Sequence, residues 1–268
     1  VAGDDLQSAR ELFRAGRPAA ALEPLSAAMR ADPSSTSARI FLFQLLAVLG
    51  EWDRAENQLR VVADLDPKLA YFKKIYVPAI AAERSREAIL TRGEGQPTIL
   101  GDPPPWMALI AKGIELYAKG HSTEAAGLLL RARQDSGEQA AIVNEQPCSS
   151  IADADVRFGS MLEVIIESEY YWVPLTRVKE ILVEAPAHIR DTLWLPAQFI
   201  WVNGGQALGL LPVRYPGIDP ASDAELQLGH RTDWTEISQT ALVGAGQRVL
   251  AVGSGDLSLL ELRSLRLN

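Results

Sequence analysis

The chain has 268 residues, 47% hydrophobic and 22% charged, enough apolar material for a packed core in each of two domains, which excludes disorder as the dominant state. Twenty-six Lys and Arg stand against 34 Asp and Glu, a formal charge of -8 with a pI near 5.0, the wrong sign for gripping phosphate backbones, so nucleic acid is excluded as a general partner. No run approaches the roughly 18–20 apolar residues of a membrane span, the start VAGDDLQSAR is acidic where a signal peptide is basic, and the single Cys148 has no internal disulfide partner; the expected setting is a reduced cytoplasm, away from membranes.

Up to about residue 147, apolar residues recur at spacings of three and four in a sequence rich in Ala, Leu, Arg and Glu, which predicts helices. Five pairs of residues lie 34 apart: Gly16 and Gly50, Ala21 and Ala55, Leu25 and Leu59, Asp32 and Asp66, Pro33 and Pro67. That is the period of the tetratricopeptide repeat, a pair of antiparallel helices. A glycine is needed where helix A turns into helix B, an alanine where the two helices approach closely, and a proline stops helix B. The run over residues 40–49 is apolar on almost every side and is expected as a central, largely buried helix. A helical arm is expected over residues 69–91, followed by a Gly- and Pro-rich linker over residues 91–105. A degenerate third copy then shows in Trp106, Gly113, Gly120, Ala125, Leu129 and Ala132, out of phase with the first two.

Helical arrays of this kind carry no chemistry of their own and present a groove lined by helix A side chains to a peptide or helix of another protein. In this register the lining residues are Leu6, Arg10, Phe13 and Arg14 from the first copy, with Ile40, Gln44 and Val48 from the second. The alternative is that Phe13, Ile40 and Val48 pack against neighbouring helices.

Beyond Cys148 the pattern changes to short runs rich in β-branched and aromatic residues, bounded by Gly, Pro, Asn or Asp: MLEVII from Met161, YYWV from Tyr170, FIWV from Phe199, ALGLL from Ala207 and RVLAV from Arg248. These predict strands. Asn203-Gly204 between two of them predicts a β-hairpin with a type I′ turn, and Ser222 with Glu225 reads as a capping box opening a short helix to about Leu228. The expected fold is therefore α+β and multidomain, an N-terminal all-α tetratricopeptide-like array over residues 1–147 and a C-terminal mainly-β domain over residues 148–268 with a short helix. Charge divides unevenly, -2 on the first part and -6 on the second.

Catalytic patterns are sparse. His121, His188 and His230 form no ligand pair, Cys148 has no Cys/His motif around it, and no Ser stands in a G-x-S-x-G elbow. Val243-Gly244-Ala245-Gly246 starts like a dinucleotide loop, but Val249 replaces the third glycine and a strand is expected to follow. Asp153-Ala154-Asp155 offers two carboxylates to a cation yet lacks the further oxygens and the Gly of an EF-hand, which favours a turn or helix cap. No cofactor and no metal is therefore expected. Tyr170-Tyr171-Trp172 is the one aromatic cluster; on a strand Tyr170 and Trp172 share a face and Tyr171 takes the other, giving either core packing or an exposed partner site.

Several blocks together resemble one family. Phe41-Leu42-Phe43-Gln44-Leu45-Leu46, Gly50-Glu51-Trp52-Asp53-Arg54-Ala55, Ile151-Ala152-Asp153-Ala154-Asp155, Tyr170-Tyr171-Trp172-Val173-Pro174, Trp194-Leu195-Pro196-Ala197-Gln198, Arg214-Tyr215-Pro216-Gly217 and Gly246-Gln247-Arg248 are similar to the ImpE family, also called TagJ, of type VI secretion accessory proteins. The resemblance runs through both halves in the same order. It implies a non-enzymatic adaptor in the bacterial cytoplasm, with the small subunit of the contractile sheath as a partner through a short helical segment, and the AAA+ ATPase that disassembles the sheath as a second. The alternatives are a general tetratricopeptide scaffold or chaperone, and a hydrolase using Asp153, Asp155 or His188.

Overall fold

The computed structural model describes residues 2–218 and 223–267. In chain order it contains α1 (Ala2–Arg14), α2 (Pro18–Ala31), α3 (Thr36–Val48), α4 (Trp52–Leu65), α5 (Ala70–Arg92), β1 (Thr98–Ile99), α6 (Trp106–Ala118) and α7 (Ser122–Ser136). Strands then dominate: β2 (Ala141–Val143), β3 (Gln146–Cys148), β4 (Ile151–Asp153), β5 (Met161–Ile166), β6 (Glu169–Pro174), β7 (Val178–Val183), β8 (Trp194–Trp201) and β9 (Gln206–Pro212). A short α8 (Ala224–Gln227) precedes β10 (Thr232–Ser238), β11 (Ala241–Gly246), β12 (Val249–Val252), β13 (Gly255–Ser258) and β14 (Ser264–Leu267). Helices followed by a β-rich part with one short helix is the fold class the sequence predicts.

Two compact units make up the chain, residues 1–81 with 219–228 and residues 82–218 with 229–268. The division by compactness falls inside α5, whereas the expected boundary near residue 147 followed composition, and helices give way to strands after α7.

In the first unit, α1 to α4 form two helical hairpins. The glycines at the 34-residue spacing are left-handed, Gly16 at φ 71° and Gly50 at φ 74°. Each closes its helix with the same pair of bonds: Gly16 N–H to Phe13 O (3.0 Å) with Arg17 N–H to Leu12 O (3.0 Å), and Gly50 N–H to Ala47 O (3.1 Å) with Glu51 N–H to Leu46 O (2.9 Å). This Schellman geometry satisfies the last carbonyls of helix A and needs a residue without Cβ. Ala21, Leu25, Ala55 and Leu59 are fully buried where helix B meets helix A, and α3, capped by the Ser35 hydroxyl, is buried from Phe41 to Leu49.

The second unit opens with the rest of α5 and a third hairpin, α6 and α7, closed in the same way by Gly120 at φ 83°. Gly113 in α6 is required by contact, since a Cβ there would stand 2.7 Å from Leu129 of α7. A nine-stranded sheet follows, in the order β1-β6-β5-β9-β8-β7-β14-β2-β3, antiparallel except for β1 beside β6. Its core includes Val164, Val173, Ile181, Leu195, Phe199 and Val213. A three-stranded sheet β13-β12-β4 and the β10-β11 ribbon complete the unit. The segment read as a linker supplies β1, whose Thr98 and Ile99 pair with Tyr171 and Trp172.

The Asn203-Gly204 hairpin joins β8 and β9, but its turn differs from the type I′ expected. Only Gly204 is left-handed (φ 85°), and Trp201 N–H bonds Gly205 O at 2.9 Å, a three-residue loop ending in a glycine bulge. Type I′ geometry occurs instead at Asn144-Glu145 and Glu167-Ser168, where both central residues have positive φ and the flanking strands pair directly across the turn. Ser222 lies outside the described residues; the α8 N-terminus is capped by Asp223, whose side chain accepts the Glu225 N–H at 2.9 Å.

Candidate functional site

The second unit encloses a network of three carboxylates and three guanidinium groups, Asp153, Asp155, Glu163, Arg86, Arg157 and Arg248, none more than 3% exposed. Glu163 is the charged member of the otherwise apolar β5, all six of whose residues are buried. Its carboxylate accepts from Arg86 Nε at 2.8 Å and Nη2 at 3.0 Å, from the Tyr170 hydroxyl and from Arg248 Nη2. Trp172 Nε1 donates to the Tyr170 oxygen at 2.6 Å, and Arg86 donates in turn to Glu83 (2.6 Å) and to the Arg214 carbonyl (2.9 Å).

Arg248 links this centre to a second one. Its guanidinium carbon lies 4.4 Å from the Phe158 ring centroid and its Nε 3.4 Å from Asp153 Oδ2, too poorly aligned for a hydrogen bond. Asp153 Oδ1 accepts from the Tyr215 hydroxyl at 2.7 Å and from the Asp155 N–H at 2.9 Å. Asp155 holds Arg157 through its Nε and Nη2, the latter at 2.6 Å, and accepts the Gly244 N–H at 2.7 Å. Gly244 belongs to β11, and a Cβ there would stand 2.4 Å from the Tyr215 ring; ring packing, not a dinucleotide, is what this glycine serves.

The two carboxylates at the ends of Arg248 respond to burial differently. Burial would raise the Glu163 carboxyl, but Arg86 and Arg248, with the hydrogen bonds from Arg86 and Tyr170, outweigh it and bring it down to about 2. At Asp153 burial wins: it pushes the carboxyl up to about 7 against the pull of Arg248, with Asp155 adding to the rise. The three carboxylates are at most 3% exposed and bond groups of the same unit, so the network holds structure. Asp153 and Asp155 are committed to Tyr215, Arg157 and backbone N–H groups, and no group of three or more His, Cys, Asp or Glu suited to a metal ion occurs among the described residues. His121, His188 and His230 are all exposed and lie outside this network.

The residues expected to meet a partner fall into two sets. In the first unit Arg10 and Arg14 are exposed, Leu6, Phe13 and Ile40 are half-buried, and Phe13 meets Phe41 edge-on at 6.2 Å. Gln44 is buried with its amide donating to the Ile40 carbonyl, and Val48 is 1% exposed, so these two face the interior of the helical pairs. In the second unit Tyr170 and Trp172 are buried on one face of β6 within the charge network, and Tyr171 on the other face is half-buried. Arg86, Arg157, Glu163, Tyr215 and Arg248 share no spacing or motif that marks them as a group in the sequence; Glu163 inside the apolar run 161–166 is the visible signal.

Comparison with known proteins bears on both halves. Residues 145–266 match the family described as ImpE protein, and residues 12–76 match the tetratricopeptide repeat. A Pseudomonas aeruginosa protein described as type VI secretion system accessory component TagJ is 39% identical over 257 residues, which cover 96% of this chain and 90% of that protein. The crystal structure of protein VPA1032 from Vibrio parahaemolyticus superposes with a TM-score of 0.84 over 97% of both chains at 22% identity, a likeness of fold. Sharing sequence with TagJ along nearly its whole length, and carrying the ImpE signature after its repeats, the chain belongs to the ImpE/TagJ family.

Proposed function

We propose that this protein is an accessory component of a type VI secretion system and that it works in the cytoplasm by binding rather than by catalysis. The observation that carries the reading is the 39% identity to TagJ over 96% of the chain. The inward-turned carboxylates of the second unit agree with it, because the best-organised cluster of ionisable groups is a structural one. The helical array of the first unit is the part built to take a partner, with Leu6, Arg10, Phe13, Arg14 and Ile40 accessible on or near helix A. The partner in this reading is a short helical segment of the sheath small subunit, and the adaptor helps bring the AAA+ ATPase to the sheath.

Pull-down with purified sheath small subunit and the ATPase N-terminal domain tests it. The wild-type protein is expected to retain the sheath subunit, and Arg10→Glu with Arg14→Glu to reduce retention by roughly fivefold or more, since two exposed charges are reversed on the binding face. Failure of the wild-type protein to retain either partner would overturn the reading.

A further inference from the structure

Between Asp66 and Glu83 the chain carries three lysines, Lys68, Lys73 and Lys74, and no acidic residue, although acidic residues outnumber basic ones 34 to 26 overall. Three of the six lysines of the protein fall in this stretch. Two of the large apolar side chains in it are turned to solvent, Tyr71 at 51% exposure and Ile75 at 42%, and Leu65 at the end of α4 is 44% exposed. Tyr71, Lys74 and Ile75 sit at i, i+3 and i+4 of α5 and share one face, with Lys68 in the 3₁₀ turn that leads into the helix. The opposite side holds Phe72, Tyr76, Ala79 and Ile80 in the core. No ion pair holds Lys68, Lys73 or Lys74 among the described residues.

The repeat register assigns this face a place. Leu6, Ile40 and Lys74 are successively 34 residues apart, and Ile75 stands 34 after Phe41, so α5 takes the helix A position next after α3. We propose that the Tyr71-Lys74-Ile75 face of α5, with Lys68, is the specificity-determining part of the partner surface, and that its occupant is an acidic amphipathic helix of another protein. Two exposed apolar side chains one turn apart fit the apolar stripe of such a helix, and the lysines fit acidic residues flanking that stripe. A flat anionic membrane would also meet lysines and a Tyr, but two apolar side chains one turn apart on a single helix face match the narrow stripe of a helix, and the vesicle arm of the test separates the two. The inference rests on the adaptor reading for the use of the helix A face, and deepens it by fixing the chemistry of the occupant.

Two synthetic 18-residue helical peptides with the same Leu stripe, one flanked by Glu and one by Lys, test it by fluorescence anisotropy against the full chain. The Glu peptide is expected to bind at least tenfold more tightly than the Lys peptide, more weakly as salt rises. Lys68→Glu with Lys74→Glu is expected to reverse that preference, and Tyr71→Ala with Ile75→Ala to weaken the Glu peptide at least tenfold while circular dichroism stays unchanged. Equal binding of the two peptides, binding of neither, or binding only to phosphatidylserine vesicles overturns the proposal. Pull-down of the sheath small subunit by the Lys68→Glu, Lys74→Glu protein separates the two readings: undiminished retention refutes this surface and leaves the adaptor reading standing, whereas peptide preference without sheath binding by the wild type does the converse.

Discussion

Replacing Glu163 with Gln is expected to lower the unfolding free energy by about 3–5 kcal/mol, the cost of leaving buried cations without their counter-charge. The amide keeps the shape of the carboxylate but not its charge, and it turns a donor toward Arg86, Arg248 or Tyr170, all of which donate to this site. Denaturant unfolding followed by circular dichroism at pH 7 measures the loss. Glu83→Gln is the comparison, since Glu83 pairs with the same Arg86 but is 14% exposed; its cost should be smaller, about 1–2 kcal/mol. The pH dependence gives a second check. With a carboxyl at about 2 against an ordinary value of 4.5, Glu163 contributes stability that is present above pH 4.5 and lost as pH falls through 2. The gap between wild type and variant should therefore narrow below pH 4.5, and a stability difference under ~1 kcal/mol at pH 7 would contradict the account.

Asp153 is expected to work with the opposite sign. Its carboxyl is raised from 3.8 to about 7, so its contribution is fully present below pH 3.8 and is lost as pH rises through 7. Asp153→Asn keeps an acceptor for the Tyr215 hydroxyl and removes the titration. Across pH 4 to 8, the wild type should lose on the order of 2–4 kcal/mol relative to the variant, because each tenfold change in proton affinity between the folded and unfolded chain is worth about 1.4 kcal/mol. Denaturant midpoints at half-unit steps of pH measure this, and parallel curves for the two proteins would refute it. Together the two substitutions separate a carboxylate that its cations keep ionised from one that burial holds close to neutrality, although Arg248 stands beside both.

What the sequence disclosed was what local geometry demands. The 34-residue spacing was visible because Gly16 and Gly50 each need a left-handed backbone and Ala21 and Ala55 each need a close helix approach, requirements that fix residue types at fixed offsets. The strand alternation of Tyr170, Tyr171 and Trp172 was legible for the same reason, and its outcome was two rings packed inside, one donating to the other. Turn chemistry was only partly legible. Asn203-Gly204 marked a hairpin but not its turn type, and neither Asn144-Glu145 nor Glu167-Ser168 contains the glycine that usually advertises positive φ. The charge network was hidden because its bonds join residues 62, 77 and 85 apart, distances over which no periodicity survives. The burial of Val48 followed from a helix enclosed on all sides, where the repeat register names a face but cannot say how many neighbours cover it.

The same long-range bonds set an order of events during synthesis. Arg86 leaves the ribosome 162 residues before Arg248, and both must reach Glu163 for that carboxylate to be satisfied. At ~5–20 residues per second the interval is on the order of 10–30 s. The first four helices, whose closing bonds span five residues or fewer, have all they need within that time. Through the same interval the strand carrying Glu163 has only part of its counter-charge, so β5 is committed to the interior late, when Arg248, just ahead of β12, arrives.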